Sequence, residues 1–131
     1  MSSSAEFNSA ANADTDREHE VQLGLLRELC KVAGANGDPV VVSEILDRLI
    51  SYSEAHFMSE ELLMRLKSYD DFEDHVEDHV QMLDTLRGIA ASHASGDSAL
   101  VAGRAADTLD FISRHIATRD RRFADYVRNG L

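Results

Sequence analysis

The chain has 131 residues, which is long enough for one domain with a single hydrophobic core and no disulfide support. Its 13 basic and 24 acidic residues give a net charge of −11, so we expect neither a nucleic-acid partner nor attraction to an anionic membrane surface. The single cysteine excludes an intramolecular disulfide and a CxxC metal motif. Because the sequence contains no signal-peptide pattern and no apolar run of about 18 residues, we expect a cytoplasmic protein.

The N-terminal part of the chain changes character after its first residues. Residues 1–13 are small and polar, and they predict a flexible N-terminal arm that precedes a bundle domain at residues 14–131. Helix A is predicted at about residues 14–32, where an aspartate caps its first turn and a glycine-rich segment ends it. Its inward stripe includes His19 and, one turn later, Leu23.

The dipeptide Asp38-Pro39 predicts the start of helix B, because an acidic cap is followed by a proline at the first helical position. The helix is predicted to end near Leu66. Its apolar stripe leads directly into His56 and Glu60, which are spaced i, i+4 and therefore point the same way. A surface histidine is not expected on a core-facing stripe, so both residues are candidate metal ligands.

Helix C is predicted to open at Asp70 or Asp71 and to end within residues 92–96. It carries His75 and His79, again spaced i, i+4 on the apolar stripe of the helix. Two imidazoles on one helical face are a common arrangement for binding a metal, although this pair alone would be weak evidence for one.

Helix D is predicted from Asp97 to about Arg128 and carries His115 and Asp120. Their i, i+5 spacing puts the two side chains about 140° apart on an ideal α-helix, so Asp120 has to reach round the helix, as a carboxylate bridging two metal ions can. Short loops join the four predicted helices and make sequential neighbours antiparallel. We therefore expect an all-α, up-down-up-down antiparallel four-helix bundle with a metal site in the core.

The candidate ligands are five histidines and two carboxylates on the inward stripes of four helices. They are His19, His56, Glu60, His75, His79, His115 and Asp120. Buried imidazoles and carboxylates are costly unless they bind metal or form dense hydrogen bonds, and seven ligands fit a pair of ions better than one. The ligand types suit iron, zinc, copper or manganese, with iron favoured. The sixth histidine, His93, is expected to be a solvated surface residue.

These motifs resemble those of the hemerythrin family, and specifically the single-domain bacteriohemerythrins. The matching segments are Asp16-Arg-Glu-His19, Tyr52-x-x-x-His56-Phe57-x-x-Glu60-Glu61-x-Leu63-Met64, His75-x-x-x-His79 and Phe111-Ile112-x-x-His115-Ile116-x-x-x-Asp120. The resemblance covers about residues 14–127 and includes all seven candidate ligands in order.

The resemblance implies a non-haem di-iron centre with an oxo or hydroxo bridge. The implied ligands are His75, His79 and His115 for one iron, His19 and His56 for the other, and Glu60 and Asp120 as bridges. The iron with two histidines keeps an open position, at which proteins of this family bind dioxygen reversibly.

The surroundings of that open position are less well defined by the sequence. Leu23, Phe111 and Ile112 each lie about one turn from a candidate ligand, so they are expected either to line an oxygen pocket or to belong to the ordinary core. Asp16 is a candidate acceptor for the free ring N–H of His19. The family often has a tryptophan at the position of Phe111 and in an N-terminal segment. This chain has no tryptophan, so we expect greater solvent access and faster autoxidation.

Three functions are compatible with such a centre. The favoured one is reversible dioxygen binding for storage, delivery or sensing, by a monomer or weak oligomer. The alternatives are a di-iron enzyme that acts on peroxide or nitric oxide, and an iron- or redox-responsive module of a larger signalling protein. No side chain is recognisable as a dedicated general acid or base, which makes a binding protein the better prediction than an enzyme.

Overall fold

The computed structural model describes the backbone of residues 3–129 and the side chains of residues 12–129, and the described chain is helical apart from short loops. The helices are α1 (Ser3–Gly34), α2 (Pro39–Leu66), α3 (Phe72–Ala94), α4 (Ser98–His115), a π-helical segment (Ile116–Asp120) and α5 (Arg121–Arg128). The π-helical segment and α5 continue α4 without a break and complete the fourth helix of a bundle. α1 packs against α2 and α4, and α3 packs against the same two helices, which closes the bundle. The predicted four-helix fold is confirmed.

The helix starts agree with the capping signals in the sequence. The Asp38 carboxylate accepts a hydrogen bond from the Val40 backbone N–H at 2.9 Å, and the Asp97 carboxylate accepts one from the Leu100 N–H at 3.1 Å. These bonds satisfy backbone donors that a helix leaves unpaired at its first turn. α3 starts after Asp71 as predicted, but that side chain makes no cap hydrogen bond.

The predicted arm at residues 1–13 is wrong from Ser3 onward, because the described backbone there is already part of α1. This segment contains several alanines, which favour a helix, and no glycine or proline, which would break one. The extended start of α1 also packs against α5, where the Asn12 side chain donates a hydrogen bond to the Ala124 carbonyl oxygen at 3.0 Å. Met1 and Ser2 lie outside the described residues.

Two apolar clusters fill the bundle. The larger one contains buried side chains from all four helices, and Cys30 packs at its edge as a half-buried residue. Burial raises the pKa of the Cys30 thiol, so this residue packs as a small apolar side chain. The smaller cluster, at the other end, consists of Met64, Tyr69, Phe123 and Val127. The candidate metal ligands occupy the layer between these clusters, where their side chains are buried.

His93 has a partner that the sequence did not suggest. Its Nε2 lies 2.9 Å from the Pro39 carbonyl oxygen and so links the end of α3 to the start of α2.

Within the described residues, no helix is long and apolar enough to cross a bilayer.

Candidate metal centre

All seven candidate ligands come together in one buried layer. Their exposed fractions run from 0% for His75 to 6% for His19. The ligand atoms form two groups that share Glu60, and within each group they lie within 4.8 Å of one another. One group contains Glu60, His75, His79, His115 and Asp120, and the other contains His19, His56 and Glu60. We call them the three-histidine group and the two-histidine group.

The i, i+5 pair on the fourth helix reaches this layer through its backbone. Residues Ile116–Asp120 form a π-helical turn, in which the Arg121 N–H donates to the Ile116 carbonyl oxygen five residues earlier. A turn of this width aligns residues that are five apart in sequence, so His115 and Asp120 share one face. The prediction that Asp120 reaches round an ideal α-helix is therefore wrong, and the local widening of the helix is the physical reason.

Glu60 lies at the centre of the layer and divides its two oxygens between the groups. Its Oε1 is 2.9 Å from His75 Nε2 and 3.0 Å from His79 Nε2. Its Oε2 is 3.5 Å from His19 Nε2 and 3.8 Å from His56 Nε2. This is the placement expected of a carboxylate that bridges two cations.

Asp120 divides its oxygens in the same way. Its Oδ1 is 2.7 Å from His75 Nε2 and 3.1 Å from His115 Nε2, both in the three-histidine group. Its Oδ2 is 3.0 Å from His19 Nε2 in the two-histidine group. All five imidazoles therefore turn Nε2 towards the two carboxylates.

Three of the imidazoles are oriented by carboxylates outside the layer, each of which contacts Nδ1. The pairs are His56 with Glu18 at 2.6 Å, His79 with Glu61 at 2.8 Å and His115 with Asp78 at 3.1 Å. A carboxylate at Nδ1 favours the tautomer that is protonated there, which leaves the Nε2 lone pair free for a metal.

The sequence did not reveal these three carboxylates as partners. Asp16, the predicted partner of His19, is exposed, and α1 instead supplies Glu18 to a histidine of α2. Each outer carboxylate is the immediate chain neighbour of a candidate ligand but serves a histidine on another helix. An acidic residue next to a candidate ligand could have been predicted to orient an imidazole, but the sequence does not show which histidine it contacts.

The polar atoms of the layer test whether metal ions fit there. The Nε2 atoms of His19, His56, His79 and His115 and both oxygens of Glu60 are buried and make no hydrogen bond, although several lie close to one another. Leaving a buried polar atom unpaired costs about 1–3 kcal/mol. Imidazole nitrogens and carboxylate oxygens that converge on one buried space are what bound cations would satisfy, so these residues fit a metal site.

Without bound metal, the layer holds charge of both signs. Burial opposes the charged forms of His19 and His75, but the nearby Asp120 and Glu60 carboxylates outweigh it and raise the pKa to about 10 for His19 and about 9 for His75. Burial and mutual repulsion oppose ionisation of Glu60, and burial opposes that of Asp120. The surrounding imidazoles nevertheless hold the pKa of both carboxyl groups well below its usual range.

The predicted oxygen-pocket residues separate in the structure. Leu23 and Ile112 are buried in the larger apolar cluster. Phe111 is 43% exposed and lines a surface groove between α3 and α4, so its predicted place in an inner pocket is wrong. Neighbouring residues on a helix point about 100° apart, and Ile112, three residues before His115, takes the inward direction.

A separate groove of about 740 Å³ reaches the candidate metal layer from the surface. It runs between the N-terminal part of α1 and the π-helical segment with α5, and both His19 and Asp120 contribute to its lining. The two-histidine group therefore lies beside a route from solvent.

A buried polar pair, also not predicted from the sequence, lies one turn from the two-histidine group. The Gln22 side-chain amide donates a hydrogen bond to the Ser53 hydroxyl at 2.9 Å, and both residues are at most 1% exposed. Gln22 follows His19 by three residues and Ser53 precedes His56 by three, so the pair spans the same α1–α2 contact as the two histidines.

Replacing Ser53 by alanine is expected to lower the free energy of unfolding by about 1–3 kcal/mol, because the Gln22 amide loses its buried partner. The double variant Gln22→Leu/Ser53→Ala should lose less than the sum of the two single variants, since it buries no unpaired amide. Urea unfolding measures all three, with Ser51→Ala on the exposed face of α2 as the control. Additive losses would contradict the pairing.

The fold and the site define a class before any comparison: helical bundles with a histidine- and carboxylate-rich cation site. Residues 11–127 match the protein-family model described as Hemerythrin HHE cation binding domain. Because this match covers most of the chain, the chain belongs to the hemerythrin family.

Two curated relatives agree with this assignment. The chain is 34% identical to a myohemerythrin from Theromyzon tessulatum over 76 residues, which is 58% of this chain and 58% of that protein. It is 26% identical to a bacteriohemerythrin from Methylococcus capsulatus over 106 residues, which is 81% of this chain and 80% of that protein. The match to the myohemerythrin therefore spans less than two thirds of its length. No solved structure matches the chain significantly.

Proposed function

We propose that the seven buried residues hold two iron ions joined by an oxo or hydroxo bridge, and that the protein binds dioxygen reversibly. The observation that carries this proposal is the division of each carboxylate, Glu60 and Asp120, between the two histidine groups. A site for one ion would not need two carboxylates that each face in two directions. When bound, a ferrous pair supplies the electrons for reversible capture of dioxygen.

The unequal number of histidines supports ligand binding on one side only. Three imidazoles and the two carboxylates can surround one ion, whereas the other group offers two imidazoles and Glu60, with Asp120 Oδ2 also close to His19. The two-histidine group is therefore the side on which an exogenous ligand can bind. His19 is also the histidine that lines the groove from solvent.

The chain's own residues shape the surroundings of the proposed site. Leu23, one turn after His19, and Ile112, three residues before His115, belong to the larger apolar cluster and so provide apolar surroundings close to two of the candidate ligands. Glu18 holds the His56 ring through Nδ1 and keeps its Nε2 directed at the site. Glu18 therefore acts as a positioning residue for His56.

The proposal is tested with anaerobic, iron-loaded protein that is titrated with dioxygen and then purged with inert gas. We expect a visible charge-transfer band that develops with dioxygen and largely disappears on purging. Zinc-loaded protein is the matched control, because it fills the site without redox chemistry and should show no band.

Other outcomes of this titration contradict specific parts of the proposal. A band that decays directly to a stable ferric spectrum would contradict reversible binding and favour a peroxide enzyme or a redox sensor. A protein that takes up no iron would contradict the assignment of the site.

A further inference from the structure

We infer that Arg119 sets the reduction potential of the metal centre by acting on His115 through the Asp78 carboxylate. This inference rests on the proposed di-iron function and adds a positioning residue to it. Arg119 lies outside the metal layer, in the π-helical segment and directly before Asp120.

The contacts form a short chain from the surface to a candidate ligand. Arg119 Nε is 2.9 Å from Asp78 Oδ2, and the same oxygen is 3.1 Å from His115 Nδ1. The Arg119 side chain is 35% exposed and that of Asp78 is 21% exposed, so solvent screens this ion pair only in part.

Asp78 differs in this respect from the other two outer carboxylates. Glu18 and Glu61 form ion pairs only with their histidines among the described residues. Asp78 alone shares its oxygen between an imidazole and a guanidinium group. The three outer carboxylates therefore do not act equally on the histidines that they hold.

The expected effect follows from competition for the charge of Asp78. A carboxylate that accepts the Nδ1–H bond makes an imidazole a stronger electron donor through Nε2. The Arg119 guanidinium draws part of that charge away, which leaves His115 a weaker donor. Weakening a donor lowers the stabilisation of ferric iron more than that of ferrous iron, so we expect Arg119 to raise the reduction potential.

The fold holds Arg119 in this position. Its NH1 group is also 3.6 Å from Asp71 Oδ2, and Arg122 NH1 is 3.4 Å from the same oxygen. Asp71 is the residue that precedes α3, and here it pairs with arginines instead of capping the helix. The widened turn that directs Asp120 inward thus also places Arg119 against the first turns of α3.

The test compares Arg119→Met with wild-type protein by spectroelectrochemical titration of the iron-loaded samples. We expect a more negative midpoint potential in Arg119→Met at unchanged iron content. Arg119→Lys, which keeps a cation beside Asp78, should have a midpoint potential close to that of wild-type protein. Arg122→Met is the matched control, because it removes the same charge from the same surface but Arg122 contacts Asp71 and not Asp78. An unchanged potential in Arg119→Met, or equal shifts in both methionine variants, would overturn the inference.

A second measurement does not depend on iron. In metal-free protein, the Nδ1–H proton resonance of His115 should move downfield in Arg119→Met, because the bond from this N–H to Asp78 strengthens. A resonance that does not move would overturn the action of Arg119 on His115. If this resonance shifts but wild-type protein takes up no iron, the proposed function fails, and the role in the potential fails with it. If it shifts, iron is bound and the potential is unchanged, the inference alone fails.

Discussion

Replacing Glu60 by glutamine is expected to remove both iron ions from the protein while leaving the bundle folded. Glu60 is the residue that faces both histidine groups, with Oε1 towards His75 and His79 and Oε2 towards His19 and His56. Glutamine keeps the volume of the side chain, so no cavity forms. The substitution removes the negative charge and replaces one carboxylate oxygen by an NH2 group, which cannot bind a metal ion.

The loss of iron should appear in the stability of the protein. A ligand at a thousandfold excess over its Kd stabilises the folded state by about 4 kcal/mol, which for a domain of this size corresponds to roughly 10–20 °C in Tm. Wild-type protein should show this increase on iron loading and Glu60→Gln should not. Iron analysis and thermal unfolding, each with and without iron, measure both effects.

Glu44→Gln is the matched control, because it makes the same change at an exposed position of the same helix. It should keep full iron content and the iron-dependent increase in Tm. If Glu60→Gln kept full iron content and the same iron-dependent increase in Tm as wild-type protein, the assignment of this residue as a bridging ligand would be wrong.

Raising the pH from 7 to 9 is expected to destabilise the metal-free protein and, over the same range, to strengthen metal binding. The raised pKa values of His19 and His75, about 10 and about 9, mean that the folded protein holds these protons more tightly than the unfolded chain. The stabilisation from both groups is complete below the unfolded value of 6.5 and is lost as the pH rises through 9 to 10.

The two carboxylates set the acid side of the same profile. The pKa values of Glu60 and Asp120 are lowered, so their stabilisation is present above the unfolded values of 4.5 and 3.8 and is lost as the pH falls below them. The metal-free protein should therefore be most stable between about pH 4.5 and pH 6.5.

Metal binding has the opposite dependence because the metal replaces protons. Ligand imidazoles must be neutral, so binding releases a proton from each of His19 and His75. With two protons displaced, the overall affinity should rise by about a hundredfold per pH unit below pH 9. Thermal unfolding of metal-free protein and calorimetric titration with zinc in buffers of different ionisation enthalpy measure the two trends.

His93→Ala, which changes a histidine outside the metal layer, should preserve both trends. Parallel pH trends for stability and affinity, or metal binding without proton release, would contradict a layer in which His19 and His75 hold protons beside ionised carboxylates until metal displaces those protons.

Much of the bundle and the site could be predicted from the sequence because the signals are local. Asp38 and Asp97 cap their helices as expected, since a cap involves only residues two or three positions away. The pairs His56/Glu60 and His75/His79 share a face because the period of an α-helix determines it.

Only the tertiary structure decided which side chains meet across helices. Glu18 and Asp78 lie next to one candidate ligand in the chain but contact a histidine on another helix, because the rotation and register of neighbouring helices determine such contacts. The same holds for the Gln22–Ser53 bond, and for the link from Arg119 through Asp78.

Each of the remaining differences between the predicted and the observed structure has its own physical reason. The π-helical turn that aligns His115 with Asp120 departs from the regular helix period, which any argument from periodicity assumes. Ile112 instead of Phe111 faces inward because only one of two adjacent helical residues can do so. Residues 3–13, predicted as an arm, are helical, and Asn12 contacts α5. This contact joins residues far apart in the sequence, so the polarity of the segment does not predict it. The sequence by itself therefore determined the candidate ligands and the helices that carry them, whereas the packing of those helices decided which side chains orient them.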